Sequence, residues 1–355
     1  MTCIEKRKAD HVEVSIEKDV GSHYNYWDDV KLVHNALPEV DLEEIDTSTT
    51  LFGRKLSFPL IVTAITGGYG KAAKINENIA KACEELQIGM GVGSQRAALE
   101  NGDESSYSVI KDFDIPLKIG NIGAPQLIRQ RNKEAFDLSS IQKAFEMIDA
   151  DLLSVHLNFL QEVVQPEGDT RARGCWEALR VIAKEFPVMV KETGAGISRE
   201  VAERLKGTGI KGIDVSGAGG TSFSAVEKYR SERIGDERGV ALGETYRDWG
   251  IPAPASVILA NVGLPLIASG GVMNGLHIAK GIILGAQCAG VARSILAAAM
   301  DSAESVVKKL KIMQLEFRTA MFLTGCTRVS DLQKKEFIIT GLTKDWLEQS
   351  KRRIL

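Results

Sequence analysis

Eight short apolar or β-branched runs, each closing near a small or polar residue and followed by helical periodicity, constrain what this 355-residue chain can fold into. They are Leu60–Ala64, Ile88–Val92, Leu117–Asn121, Leu152–His156, Pro187–Lys191, Gly212–Ser216, Pro265–Ser269 and Gln287–Val291. Their composition and bounding residues read as strands. Amphipathic segments such as Ala72–Gln87, Ser139–Ile148, Cys175–Glu185, Arg199–Lys206 and Leu276–Leu284 lie between them. Most strand starts are 22 to 35 residues apart, which suits βα units joined by right-handed crossovers. An open doubly wound sheet alternates in the same way. Eight consecutive units with functional side chains at almost every strand exit favour the closed (β/α)8 barrel.

The chain from 1 to 355 reads as one such α/β domain with three additions. Residues 1–55 form a polar N-terminal segment with an aromatic cluster at Tyr24, Tyr26 and Trp27. About fifty residues separate the sixth strand from the seventh, and a charge-rich insert over 222–250 fills much of that gap. An insert after a barrel strand falls on the catalytic face, so 222–250 is either a solvated excursion or a closing lid. The C-terminal 300–355 reads as helical.

Composition narrows the function. Hydrophobic residues at 44% and charged residues at 26% are ordinary for a globular enzyme. With 44 Lys+Arg against 47 Asp+Glu, the balance argues against a nucleic-acid-binding face, yet allows a local basic pocket for a small anion. No stretch is long and apolar enough to suggest a membrane span. Five dispersed cysteines without a CxxC pair suggest neither a disulfide framework nor a zinc site, and the charged start lacks a signal-peptide pattern. A cytoplasmic protein is expected.

The strand exits carry the chemistry. Loops after strands seven and eight commonly bind phosphate through backbone N–H groups, and here they read Ser269-Gly270-Gly271 and Val291-Ala292-Arg293. A helix beginning near Ser294 would add its N-terminal partial charge. Ser216 to Thr221 could extend that cradle. Lys191 ends an apolar strand and is either a structural ion-pair partner or a cation beside a cofactor ring. Asn121 and the Ala64-Ile65-Thr66 turn could bond the edge of a flavin. His156 and Asn158 share a window with Gln161 and Glu162, and a lone carboxylate beside substrate phosphates is the usual Mg²⁺ arrangement. Arg7, Lys8 and His11, with Arg96, would form an anion clamp if the N-terminal segment folded over the barrel mouth.

In order, Arg7-Lys8-Ala9-Asp10-His11, Thr66-Gly67-Gly68, Gly93-Ser94-Gln95-Arg96, Gly120-Asn121-Ile122-Gly123 and His156-Leu157-Asn158 with Gln161-Glu162 form one half of a pattern. Lys191-Glu192-Thr193-Gly194, Ser216-Gly217-Ala218-Gly219-Gly220-Thr221 and Ser269-Gly270-Gly271 complete it. The chain thereby resembles the type 2, flavin-dependent isopentenyl-diphosphate isomerases over nearly its whole length. That resemblance implies a TIM barrel binding FMN, with reduced flavin, its N5 in particular, as acid–base agent, Mg²⁺ on the diphosphate, and NADPH or NADH as reductant. It implies Arg7, Lys8, His11, Ser94, Gln95, Arg96, His156, Asn158 and Gln161 on substrate, with Gln161, His156 and Asn158 nearest the chemistry, and Glu162 on the metal. It implies Ala64, Ile65, Thr66, Ser94, Asn121, Lys191, Ser216, Thr221, Gly270, Gly271, Ala292 and Arg293 on FMN. A homotetramer or homo-octamer is also implied. The alternative is an FMN-dependent barrel oxidoreductase acting on a small acid or nucleotide.

Overall fold

A computed structural model describes residues 3–350. Residues 1, 2 and 351–355, the outermost parts of the expected N- and C-terminal segments, lie outside the described residues. All eight expected strands are present: β1 (Leu60–Val62), β2 (Gly89–Gly91), β3 (Lys118–Gly123), β4 (Leu152–Leu157), β5 (Val188–Glu192), β6 (Ile213–Asp214), β7 (Leu266–Ala268) and β8 (Cys288–Val291). They pair in parallel and in sequence order, and β8 closes on β1 through Ala289 opposite Leu60 and Val291 opposite Val62.

The period-two alternation of strand side chains stacks the lumen in layers. Ile61, Ile119, Met189, Ile267 and Cys288 form an apolar floor. Two residues further along the same strands come Thr63, Asn121, Lys191 and Ser269, so the lumen turns polar at the C-terminal ends. An antiparallel hairpin, Thr49–Leu51 with Arg54–Leu56, closes the opposite end by burying Leu51 and Leu56 against that floor. A larger apolar cluster fills the space between the strands and the surrounding helices.

Three helices roof the polar end. Helix α1 (Cys3–Glu17) lies across the barrel mouth, α2 (Phe159–Val164) follows β4, and α3 (Phe223–Ile234) follows β6. Ser222 caps α3 by accepting the Ala225 N–H, and Gly235 ends it at φ 72°. Val14 and Val20 pack on Ala225 and Val226, joining α1 to α3. Ion pairs Arg233–Glu13 at 2.9 Å and Arg230–Asp10 at 3.8 Å run along the same seam. The 222–250 insert is thus ordered helix, completed by α4 (Glu237–Thr245).

Helix α5 (Arg293–Asp301) starts where the sequence placed a phosphate-facing helix. In the C-terminal segment, α6 (Ala303–Leu323) packs against helices Ala72–Leu86 and Gly275–Ile283, and α7 (Gly341–Ser350) is the last described element. Between them, Phe337–Ile339 pairs antiparallel with Val30–Leu32, a strand pair the sequence did not announce.

Candidate active site

The barrel mouth opens into two adjoining pockets that share Ser15, Ala64, Ile65, Lys191, Thr193, Phe223 and Leu296. The smaller, about 160 Å³, is lined by Arg7, Lys8, His11, Thr66, Ser94, Arg96, Asn121, His156, Asn158, Gln161, Glu162 and Gln165. The larger, about 500 Å³, is lined by Ser216, Gly219, Gly220, Thr221, Gly270, Gly271, Ala292, Arg293 and Ser294, among others. Residues more than 280 positions apart in the chain thus meet in one cleft.

Cations dominate the smaller pocket. Lys8 donates to the Ser94 carbonyl at 3.1 Å, and burial together with the charges of Arg7 and Arg96 lowers its pKa to about 7. Arg96 is held by Glu100 and Asp169, each at 2.8 Å. His156 is buried and crowded by Lys191, Lys8 and Arg96, so its pKa lies well below the usual range and the ring is neutral. Asn121 donates through Nδ2 to the Val92 carbonyl at 3.0 Å, leaving its Oδ1 as acceptor for His156 Nδ1 at 2.8 Å. Arg7, Lys8, Arg96 and His156 gathered in one cleft make a receptor for a polyanion.

Opposite the cations sit buried carboxylates. Glu162 accepts from Asn158 Nδ2 at 2.9 Å and from the Asp169 N–H at 2.7 Å, and burial raises its pKa. Among the described residues Asn158 Oδ1 has no donor. These are oxygen donors short of positive charge, which fits a hard cation such as Mg²⁺. No cluster of three His, Cys, Asp or Glu side chains suited to a metal occurs among the described residues, so any cation here would share its shell with ligand and water oxygens.

Glu227 of α3 is fully buried and accepts from His11 Nε2 and Gln161 Nε2, each at 2.8 Å, and from Arg230. Burial alone would raise its pKa, but His11 and Arg230 overcome that and hold it down at about 2. With its amide turned so that both ends find partners, Gln165 extends the network, donating to Glu227 at 3.3 Å and accepting from Arg7 at 3.1 Å. Neither Glu227 nor Gln165 stood out in the sequence, because the Glu227-to-Arg233 run reads as a solvated charge cluster. The available signal was the apolar Phe223-Ser224-Ala225-Val226 just before it, which marks a buried helical face.

The larger pocket suits a flavin. Its glycine loops interlock: a Cβ on Gly270 would lie 2.1 Å from the Gly217 carbonyl, and one on Gly271 would lie 2.4 Å from that of Gly219. Ser294 Oγ, at the start of α5, and Thr66 Oγ1, at the other pocket, are buried without partners among the described residues. Ser216 adopts a left-handed φ of 38°, unusual for a residue with a side chain. Lys191 stands between the pockets and donates to the Glu192 carbonyl at 3.0 Å. Its cross-strand neighbour Asp214 lies deeper in the lumen, held by Ser269 and by Thr63 at 3.2 Å.

Nearly every residue expected to bind substrate, metal or flavin lines one of these pockets. Gln95 is the correction. Its Oε1 accepts the Asn121 N–H and its Nε2 donates to the Ala144 carbonyl, both at 2.8 Å. Both ends of the amide are committed to the barrel wall, so Gln95 supports β3 instead of facing the cleft.

Fold and site together define a flavin-type (β/α)8 barrel enzyme, and a family model for FMN-dependent dehydrogenases matches residues 4–105 and 126–339. Distant barrels share the fold alone: a mutant flavocytochrome b2 with benzoylformate (TM-score 0.65, 16% identity, covering 97% of this chain and 88% of that one) and a mutant mandelate oxidase (0.60, 18%, 93% and 92%). Two curated relatives are far more similar. The isopentenyl-diphosphate delta-isomerase of Thermoplasma volcanium is 46% identical over 97% of this chain and 99% of its own. That of Archaeoglobus fulgidus is 45% identical over 97% and 98%. Within the FMN-dependent dehydrogenase family, the chain belongs to the isopentenyl-diphosphate delta-isomerases.

Proposed function

We propose that this chain interconverts isopentenyl diphosphate and dimethylallyl diphosphate, with reduced FMN in the larger pocket and Mg²⁺ at Glu162. The observation that carries the reading is the junction itself: a cationic receptor sized for a diphosphate opens, past Lys191 and the Ala64–Ile65 turn, into a glycine-lined flavin pocket. When bound, reduced FMN supplies proton donation and acceptance at the substrate's carbon skeleton.

The chain's own residues bind, orient and exclude water. Arg7, Lys8, His11, Ser94, Arg96, His156 and Asn158 take the diphosphate, and the anion restores protons to Lys8 and His156 that burial disfavours. Glu162 holds the metal against it, with Asn158 Oδ1 as the nearby unsatisfied oxygen. Gln161, fixed by Glu227, reaches toward the reacting carbons. Ala64, Ile65, Thr66, Ser94 and Asn121 contact the flavin ring, Lys191 stabilises its anionic reduced form, and Ser216, Thr221, Gly270, Gly271, Ala292 and Arg293 hold its chain and phosphate. NADPH or NADH serves as reductant, the enzyme works as a cytoplasmic homotetramer or homo-octamer, and α3–α4 closes over bound substrate.

An oxidoreductase of a small hydroxy acid would need a histidine base over the flavin. His277 does not fit, since its Nδ1 faces the Gly271 carbonyl at 3.3 Å and its Nε2 faces Asp28 at 3.8 Å. The test is anaerobic incubation with isopentenyl diphosphate, FMN, NADPH and Mg²⁺ in D₂O, with and without reductant. Deuterated dimethylallyl diphosphate forming only with reductant, without stoichiometric NADPH loss, supports the reading. Bound, reducible FMN without product overturns it.

A further inference from the structure

The aromatic cluster of the N-terminal segment has no part in the chemistry above, yet its Trp27 and the adjoining Asn25 grip the flavin pocket from behind. Trp27, wholly buried, donates through Nε1 to the Gly270 carbonyl at 2.7 Å. Asn25 donates through Nδ2 to the Gly271 carbonyl at 3.0 Å, while its Oδ1 accepts the Trp27 N–H at 3.1 Å. Lys280 fixes the Trp27 carbonyl in turn, at 2.7 Å. Gly270 and Gly271 sit at φ 88° and 81°, a stretch of chain with little conformational preference of its own. Something outside the loop must choose the orientation of its peptide planes.

A trans peptide sends its N–H opposite to its carbonyl. Holding the Gly270 and Gly271 carbonyls outward therefore turns the N–H groups of Gly271 and Val272 the other way. Neither N–H has an acceptor among the described residues, although Val272 is buried and lines the larger pocket. Buried backbone donors are almost always paired, so a free one at buried Val272, beside another at half-buried Gly271 aimed by the same side-chain pair, is waiting for an acceptor. Ser294 Oγ, also unpaired, faces the same space from α5.

We infer that Asn25 and Trp27 are positioning residues for the flavin's terminal phosphate: they set the Gly270–Gly271 peptides so that the Gly271 and Val272 N–H groups point at it. This rests on the larger pocket being the FMN site. The two residues touch no ligand. They convert a floppy diglycine into a fixed pair of donors, and so determine how strongly the site prefers the phosphorylated flavin.

The test uses full-length apoprotein titrated with FMN and with riboflavin, which differ by the phosphate alone. The wild type should prefer FMN. Trp27→Phe keeps an aromatic ring but removes the indole donor, and Asn25→Ser keeps an oxygen for the Trp27 N–H but cannot reach Gly271. Each should cut the FMN-to-riboflavin affinity ratio about tenfold, the scale of one charge-assisted hydrogen bond, with riboflavin affinity near the wild-type value. Leu51→Ala, at the closed end of the barrel, should leave the ratio unchanged, which separates aiming from general loosening. A ratio that stays at the wild-type value in both variants overturns the inference while leaving the FMN site intact. Wild-type protein that binds neither flavin overturns the FMN reading and the inference with it. Asn25 is only half-buried, so its variant stands even if Trp27→Phe does not fold.

Discussion

Replacing Glu227 by glutamine removes one charge from a fully buried site where His11, Gln161, Arg230 and Gln165 donate to it. In the wild type its pKa falls from 4.5 to about 2, which corresponds to stabilisation on the order of 3 kcal/mol at neutral pH. The variant should not lose much more than that, because Arg230 keeps Glu167 at 2.9 Å and Asp10 at 3.8 Å. The sign follows from a depressed carboxyl pKa: the contribution is complete above pH 4.5 and drains away as the pH falls toward 2. Urea unfolding followed by tryptophan fluorescence should therefore show Glu227→Gln about 3 kcal/mol less stable at pH 7, with the gap narrower by on the order of 1 kcal/mol at pH 3.5. The same change frees Gln161, so kcat should fall at least tenfold with a smaller change in KM. Equal stability at pH 7, or a gap that does not respond to acid, would refute the assignment of Glu227 as a buried anion.

Inorganic pyrophosphate binding at pH 8, measured by calorimetry in buffers of different ionisation enthalpy, should reveal proton uptake, because Lys8 with a pKa of about 7 is mostly neutral until an anion arrives. Lys8→Arg should reduce that uptake, and buffer-independent heats for the wild type would count against a neutral Lys8. Glu162→Gln should raise the Mg²⁺ concentration for half-maximal activity by about tenfold or more, and an unaltered titration would remove the metal role. Lys191→Ala should weaken FMN binding and shift the absorbance of the reduced flavin toward its neutral form; unchanged spectra and affinity would make the lysine structural. Limited proteolysis within 222–250 should slow when substrate is added to FMN-loaded protein, and equal cleavage rates would show that α3 and α4 do not close.

What could be read from the sequence follows from where each residue gets its instructions. Strand and helix positions are local, so β-branched runs and amphipathic spacing placed all eight barrel strands, and the barrel's rule that strand exits share one mouth gathered Thr66, Asn121, His156, Lys191 and Gly270 without any three-dimensional information. Gln95 was misread because it shares a strand exit with Ser94 and Arg96, and which of three consecutive side chains turns into the barrel wall depends on partners that the sequence does not show, the Asn121 N–H and the Ala144 carbonyl. Glu227 was hidden for a different reason. Its partners His11 and Gln161 lie 216 and 66 positions away, on α1 and α2, and nothing in a charged helical run says that its first residue will be covered. Asn25 and Trp27 show the limit most clearly. Their effect on the pocket is exerted through the carbonyls of two glycines 246 and 243 positions further on, and a backbone atom leaves no mark on sequence beyond the glycine itself. The residues that touch a ligand are chosen by chemistry and can be recognised by type. Those that aim the chain's own backbone donors at a ligand are chosen by geometry, and only the folded chain shows which they are.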